Sequence, residues 1–231
     1  MSRKNRSYVI ATVKPWNITN YQTYFGKNKN FHLITKKEDL TVARLRKINP
    51  RYVFFPHWSW IIPKEIWNEF ECVTIHETDL PYGRGGSPIQ NLIALGHKKT
   101  KISAIRIDAG IDTGDIYSKR PVSLTGSAQE VFERISDIVF SEVIPTIVKK
   151  EPVPKKQQGE AVVFKRRTPE MSRINGSETQ AELYDLIRML DADSYPKAFL
   201  ELENKKFEFT EAKLVKGELH AKVTITESSK K

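Results

Sequence analysis

The sequence contains a single cysteine, Cys72, so it can hold neither an internal disulfide framework nor a multi-cysteine metal site. No apolar run approaches the ~20 residues that a membrane span requires. The apolar stretch Tyr8–Val13, behind the basic Met1–Arg6, is too short and too broken for the core of a secretion signal. The expectation is therefore a chain of a reducing, cytoplasmic compartment with no membrane insertion. Glycine (11) and proline (12) show no period, which excludes collagen-like and linker-dominated architectures. No heptad zipper, paired Cys/His finger or RNP-like aromatic motif is present, and no internal repeat. What is present is a 231-residue chain, 39% hydrophobic and 10% aromatic, which supplies a packed core and excludes a disordered one.

Charge of one sign is in excess. Thirty-eight Lys and Arg against 28 Asp and Glu leave a formal net charge of +10. Such a balance points to a polyanionic or phosphorylated partner, or else to a basic solvated face. The excess lies in scattered clusters: Arg3, Lys4 and Arg6; Lys27 and Lys29; Lys149–Lys156; Lys165–Arg167; Lys230 and Lys231. Charge by itself names no partner.

The first two-thirds alternates strand-like and helix-like segments. Strands are expected at Tyr8–Lys14, Phe31–Thr35, Tyr52–Phe55, Cys72–His76, Lys101–Ile107 and Ile116–Pro121. Helices are expected near Asn17–Tyr24, over Lys37–Ile48, and at Pro63–Phe70 and Pro88–Leu95, the last two opened by proline. The longest helix is expected over Gln129–Ile147, where Val131, Ile135, Ile138, Val139, Val143 and Ile147 share one face. This alternation implies an α/β fold with a mostly parallel sheet covered on both faces. Ligands of such sheets bind beyond the carboxyl ends of the strands, which puts the loops after Lys14, Phe55, His76 and Ile107 on one rim. A charged, proline-bearing linker at 151–159 separates a domain over 1–150 from a small α+β appendage over 160–231. The appendage carries a strand at Ala161–Lys165, a helix at Gln180–Leu190, and strands at Phe199–Glu203, Lys206–Phe209 and Ala221–Thr226.

One stretch carries the chemistry. His76 ends a strand and opens a Gly/Pro-rich loop, Glu77-Thr-Asp-Leu-Pro-Tyr-Gly-Arg-Gly-Gly-Ser87, which feeds a helix start. Thirty-six residues on, Asp112 sits in a second Gly-rich loop, Asp108-Ala-Gly-Ile-Asp-Thr-Gly-Asp115. A histidine and an aspartate on neighbouring loops can meet as a base and its charge partner. The same residues also fit a structural hydrogen bond for His76 and ordinary turn chemistry for Asp112. The Gly-Arg-Gly-Gly run lacks the lysine and spacing of a phosphate loop. His57, His76, Asp108 and Asp112 show no metal-ligand spacing, so no metal is expected.

Together these motifs resemble the folate-dependent formyltransferase family, whose signature is Asn-x-His-Pro/Gly-Ser-Leu-Leu-Pro, then Arg/Lys-Gly, then Asp-x-Gly-x-Asp-Thr-Gly-Asp. The matching stretches are Thr74-Ile-His76-Glu-Thr-Asp-Leu-Pro81, Arg84-Gly85, Ser87-Pro-Ile-Gln90 and Asp108–Asp115. The resemblance covers roughly residues 8–150 and implies a Rossmann-like formyltransferase fold with catalysis in the 1–150 domain. It implies 10-formyltetrahydrofolate as co-substrate, His76 as proton carrier or oxyanion stabiliser, and Asp112 as the residue that orients it. Two departures stand out: Thr74 replaces the family's asparagine, and His-Pro becomes His76-Glu77. Thr74, Thr78 or loop amides then hold the developing oxyanion, or the catalytic machinery differs from the family's, or the chain binds without reacting.

The folate slot implied by the resemblance has one wall at His57, Trp58, Ser59 and Ile61, and another at Asp108, Ala109 and Gly110. The two tryptophans of this segment fit core packing equally well. On the acceptor side, Lys14 would meet a phosphate, Trp16 would stack, Asn17 would bind or cap a helix, and Thr78, Tyr82 and Arg84 would face the substrate. Leu183–Leu190 and Tyr195-Pro-Lys-Ala198 resemble the start of the tail in tRNA- and sugar-directed members, but 160–231 is short for a tRNA-gripping module. The variant loop is most similar to enzymes that formylate nucleotide-linked amino sugars. The expectation is therefore a UDP- or dTDP-4-amino-4,6-dideoxy sugar, no nucleic-acid partner, and a homodimer. A methionyl-tRNA formyltransferase-like enzyme and a non-catalytic binder are the alternatives.

Overall fold

The apolar runs of the first half form strands with helices between them, as their length and patterning require. The computed structural model describes residues 6–193 and 195–228; Arg3, Lys4, Lys230 and Lys231 lie outside the described residues. The strands are Ser7–Ala11 (β1), Phe31–Ile34 (β2), Pro50–Phe55 (β3), Cys72–His76 (β4), Tyr82–Gly85 (β5), Lys99–Arg106 (β6), Ile116–Ser123 (β7), Val162–Phe164 (β8), Ala198–Leu202 (β9), Lys205–Val215 (β10) and Glu218–Glu227 (β11). The helices are Pro15–Phe25 (α1), Val42–Ile48 (α2), Lys64–Glu69 (α3), Pro88–Ala94 (α4), Ala128–Ile138 (α5), Ile144–Lys150 (α6) and Gln180–Leu190 (α7).

The chain divides into two units: one from the amino terminus to Arg84 with Lys101–Val122 and Glu133–Val163, the other Gly85–Thr100, Ser123–Phe132 and from Phe164 on. The first unit is built on a six-stranded sheet of order β2-β1-β3-β4-β6-β7. Strands β2, β1, β3 and β4 are parallel, with Tyr8 opposite Phe31 and Phe55 opposite Thr74. Val9, Ile10, Val53, Phe54 and Val73 are fully buried, the continuous apolar reading of a sheet covered on both faces. The sheet is mostly parallel with helices, the α/β arrangement that the alternation implied.

Strand β6 runs antiparallel to β4, with His76 opposite Ser103 and Val73 opposite Arg106. The loop after Ile107 therefore leaves beside the start of β4, where Ile107 N donates to Cys72 O at 2.9 Å, and not from the shared rim expected of it. Alternating burial encodes a strand's faces but not its direction.

Three further differences have local causes. The segment 37–48 is broken, because Thr41 is extended and its Oγ1 accepts from Arg44 N, capping α2 afresh. Pro63 flanks α3 as its cap residue and does not occupy the first turn. The long helix over 129–147 is interrupted by a π-helical segment, Val139–Val143, just ahead of Pro145. Proline removes an amide hydrogen and crowds the preceding turn, and the widened turn absorbs both. The buried face shifts with it, so Phe140 and Ile144 are buried while Ile138 is only half-buried.

The second unit contains α4, α7 and an antiparallel sheet of order β11-β10-β9. Helix α7 opens with a reciprocal cap: Glu182 N donates to Thr179 Oγ1 (3.3 Å) and Thr179 N donates to Glu182 Oε2 (2.8 Å). Arg188 on α7 is buried and fully engaged, donating to Leu124 O, Gly126 O and Asp185 Oδ1. Strands β10 and β11 extend well beyond the expected Lys206–Phe209 and Ala221–Thr226 because a two-residue turn at Lys216-Gly217, both with positive φ, joins them as a hairpin.

Candidate active site

The carboxyl ends of β1, β3 and β4 lie on one rim because these strands are parallel, and two histidine–carboxylate pairs are found there. His76, the last residue of β4, is buried. Its Nε2 lies 2.7 Å from Gly83 O, so that nitrogen donates to the carbonyl. Its Nδ1 faces Asp112 Oδ2 at 3.5 Å, with the two side chains 7% and 18% exposed. The imidazolium would donate at both ends at once.

Asp112 reaches His76 from the loop after β6. The ends of that loop are tied, Arg106 N donating to Asp115 O at 2.9 Å, and a Cβ on Gly114 would sit 1.7 Å from Arg106 O, so only glycine fits there. Asp108 Oδ1 accepts from Gly110 N (3.0 Å) and Thr113 Oγ1 (2.6 Å), closing an Asx-type turn. Asp112 itself has φ +54, a left-handed conformation that aspartate tolerates better than most residues. Gln157 Nε2 donates to Asp112 O (2.7 Å) and Gly114 O (2.9 Å).

The second pair is His57 with Glu77. His57 Nε2 stands 3.2 Å from Glu77 Oε1, and the two side chains are 10% and 11% exposed. His57 Nδ1 accepts from Trp16 Nε1 (3.3 Å) and lies 3.1 Å from Asn17 Nδ2, which assigns the neutral ring's proton to Nε2, the nitrogen on the Glu77 side. Burial pushes the Glu77 carboxyl up, but the pairing with His57, and the positive charge of the His57 and His76 rings whenever they are protonated, outweigh it and hold the carboxyl below its ordinary value. Asn17 Nδ2 also donates to Thr12 Oγ1 (2.9 Å) and Pro56 O (3.1 Å), joining the loops after β1 and β3. Asn17 therefore does not cap α1; Lys14 occupies the cap position, its Nζ 5.6 Å over the Trp16 ring.

The remaining residues divide by environment. Thr78 is fully buried and donates to Gly83 O at 3.3 Å, while Thr74 is half-buried with Oγ1 3.5 Å from Phe55 O. Trp58 packs edge-on against Phe55 and Trp60 and against the β1–β3 core, as core packing predicts. Ser59, Ile61, Asp108, Ala109 and Gly110 are exposed, and Ile61 and Ile111 display 95% and 76% of their surface. Tyr82 is half-buried on β5, which pairs with β8 where the sequence suggested only loop. Arg84, also on β5, donates through Nε (3.1 Å) and Nη2 (2.7 Å) to Gln157 Oε1. Among the described residues, no group of three or more His, Cys, Asp or Glu is placed to hold a metal ion.

Sequence reasoning missed Glu77 and Gln157. Glu77 carried a signal, since it stands where the resemblance calls for proline, but its partner lies nineteen positions upstream of His76 in another loop. Gln157 lies in a segment that composition marks only as linker.

Residues 17–147 match the family described as Formyl transferase, and residues 169–226 match the family described as Methionyl-tRNA formyltransferase, C-terminal domain. The solved structure of the methionyl-tRNA formyltransferase from Clostridium thermocellum is 52% identical, with a TM-score of 0.94 over 96% of this chain and 99% of that one. The methionyl-tRNA formyltransferase of Rickettsia felis is 29% identical over 192 residues, covering 80% of this chain and 63% of that protein. The chain spans about three-fifths of the length of the curated relatives it matches. A sugar N-formyltransferase from Shewanella superposes with a TM-score of 0.70 over 91% of this chain and 99% of that one, at 18% identity, and shares the fold. These findings overturn the expected nucleotide-sugar acceptor and the expected lack of a nucleic-acid partner: the relatives with real sequence identity carry the name of a tRNA-acting enzyme.

Proposed function

Because the chain belongs to the folate-dependent formyltransferase family, we propose that it transfers a formyl group from 10-formyltetrahydrofolate to the α-amine of methionyl-tRNA. The observation that carries the choice of acceptor is the 52% identity, across nearly its whole length, to a structure bearing that name, supported by the match of 169–226 to that enzyme's C-terminal domain. The net charge of +10 fits a polyanionic acceptor.

The residues present suit a folate. Its flat pterin needs apolar surface and backbone hydrogen bonds, and the exposed Ile61 and Ile111 with the open backbone of Asp108–Gly110 offer both. The bound co-substrate supplies an electrophilic formyl carbon: the carbon–nitrogen bond to the amine forms, the bond to folate N10 breaks, and the amine's proton passes to N10. His76 and Asp112 handle that proton. Nε2 takes it from the attacking amine once its hydrogen bond to Gly83 O has given way and the ring's own proton lies on Nδ1, toward Asp112. The resulting imidazolium is stabilised by the Asp112 carboxylate, its charge offsets that of the developing oxyanion, and Gly83 O accepts from Nε2 again when the proton has been passed on. Thr74, at the position of the family's asparagine, has a single hydroxyl proton, which lies toward Phe55 O at 3.5 Å and must turn from it to serve the oxyanion.

The test mixes the protein with 10-formyltetrahydrofolate and methionyl-tRNA and reads formylmethionine by mass spectrometry after deacylation. Turnover is expected, with an apparent affinity for the tRNA that falls steeply as salt is raised. Folate binding without any formylated methionine would overturn the reading.

A further inference from the structure

The strongest feature that this chemistry leaves unused is the side-chain amide of Gln157, in the segment between α6 and β8. Both of its ends are engaged. Nε2 donates to Asp112 O and Gly114 O at 2.7 and 2.9 Å, and Oε1 accepts from Arg84 Nε and Nη2 at 3.1 and 2.7 Å. The network fixes the amide's orientation, because two carbonyls on one side require donors and a guanidinium on the other requires an acceptor. Glutamate cannot donate to the carbonyls, and lysine cannot accept from the arginine. The backbone that presents Gln157 is itself tied down: Ile116 N donates to Lys155 O at 2.7 Å and Lys155 N to Ile116 O at 2.9 Å.

What the amide grips is the strained residue of the site. Asp112 has φ +54 and a half-exposed loop around it, and its carboxylate must stay 3.5 Å from a buried histidine. A non-glycine residue in that conformation is strained and persists only where its surroundings hold it. The Asx turn at Asp108 closes the front of the loop, while the carbonyls of Asp112 and Gly114 at its back are met by Gln157. We propose that Gln157 is a positioning residue: it holds Asp112 toward His76 and ties that loop to Arg84 on β5. The inference rests on the reading of His76 and Asp112 as the proton-handling pair.

The test compares Q157E, Q157M and D112N with the wild type in methionyl-tRNA formylation, beside mass-spectrometric hydrogen exchange over residues 108–114. Q157E keeps an acceptor for Arg84 and replaces the two donations by repulsion between a carboxylate oxygen and the carbonyls of Asp112 and Gly114, so kcat should fall roughly 10- to 100-fold, the cost of a small misplacement. KM for methionyl-tRNA should stay within about 3-fold, since that displacement acts on the reacting geometry. The double variant Q157E/D112N should be no slower than D112N, because the amide acts through Asp112. Q157M should speed exchange over 108–114 without a general loss of protection. Wild-type kcat in Q157E, or a loss that adds to that of D112N, would overturn the inference. If the wild type shows no turnover, the proposed function fails; faster exchange in Q157M would still uphold the clamp, and unchanged exchange would remove it.

Discussion

Two histidine–carboxylate pairs stand at the ends of neighbouring parallel strands, and their surroundings differ. In the His57–Glu77 pair every partner is buried: Trp16 and Asn17 hold one ring nitrogen, Glu77 the other, and the carboxylate follows directly on β4. In the His76–Asp112 pair the ring is buried, but the carboxylate arrives on a strained loop with exposed neighbours and an ion-pair distance longer than an ordinary hydrogen bond. The first arrangement locks loops together. On the proposed function the second is the proton-handling pair; its ring is as enclosed as that of His57, its carboxylate is 18% exposed against 11% for Glu77, and it spends backbone strain at Asp112.

The largest effect should come from His76. H76A should lower kcat/KM for methionyl-tRNA formylation by roughly 10²- to 10⁴-fold, the usual worth of a general acid–base group, with the unfolding transition shifted by no more than a few degrees. D112N should lower kcat by roughly 10²-fold and leave stability unchanged, since asparagine also tolerates positive φ. Equal losses in kcat and in stability for either variant would dissolve the contrast between the pairs.

The contrast was only partly legible in the sequence. His76 and Asp112 stood out because both lie in Gly-rich loops at a recognisable spacing, and the glycines there have geometric jobs, as Gly114 does against Arg106 O. Glu77 gave away nothing of its partner, because a buried ion pair between two loops leaves no periodic trace. Strand β5 was hidden by Gly83 and Gly85, whose positive φ values suit a turn as well as an irregular strand. The direction of β6 and the π-helical segment before Pro145 share a cause: periodicity records which residues are buried, and tertiary packing decides the rest. In the choice of acceptor, the short tail and variant loop pointed to sugars, whereas the identity across the chain is to a structure that bears the name methionyl-tRNA formyltransferase.

A smaller effect tests the locking pair. The Glu77 carboxyl lies below its ordinary value of 4.5 in the fold, so its contribution to stability is complete above that pH and fades as pH falls through the depressed folded value. E77Q should therefore be less stable than the wild type by about 1–3 kcal/mol at pH 7, and the gap should close in acid; urea unfolding at several pH values measures it. A gap that widens below pH 4.5 would have the wrong sign. The smallest effect concerns the other end of β4, where burial and the charge of Glu71 push the Cys72 thiol up to about 12. Native protein at pH 8 should not react with a thiol reagent, and unfolded protein should react at once.

The most direct measurement places D112N and E77Q side by side, reading kcat for methionyl-tRNA formylation and the free energy of unfolding for each. D112N should lose activity at wild-type stability, and E77Q should lose stability with kcat within a few-fold of wild type. The reverse pattern, with E77Q inactive and stable while D112N turns over normally, would contradict the assignment of the chemistry to His76 and Asp112.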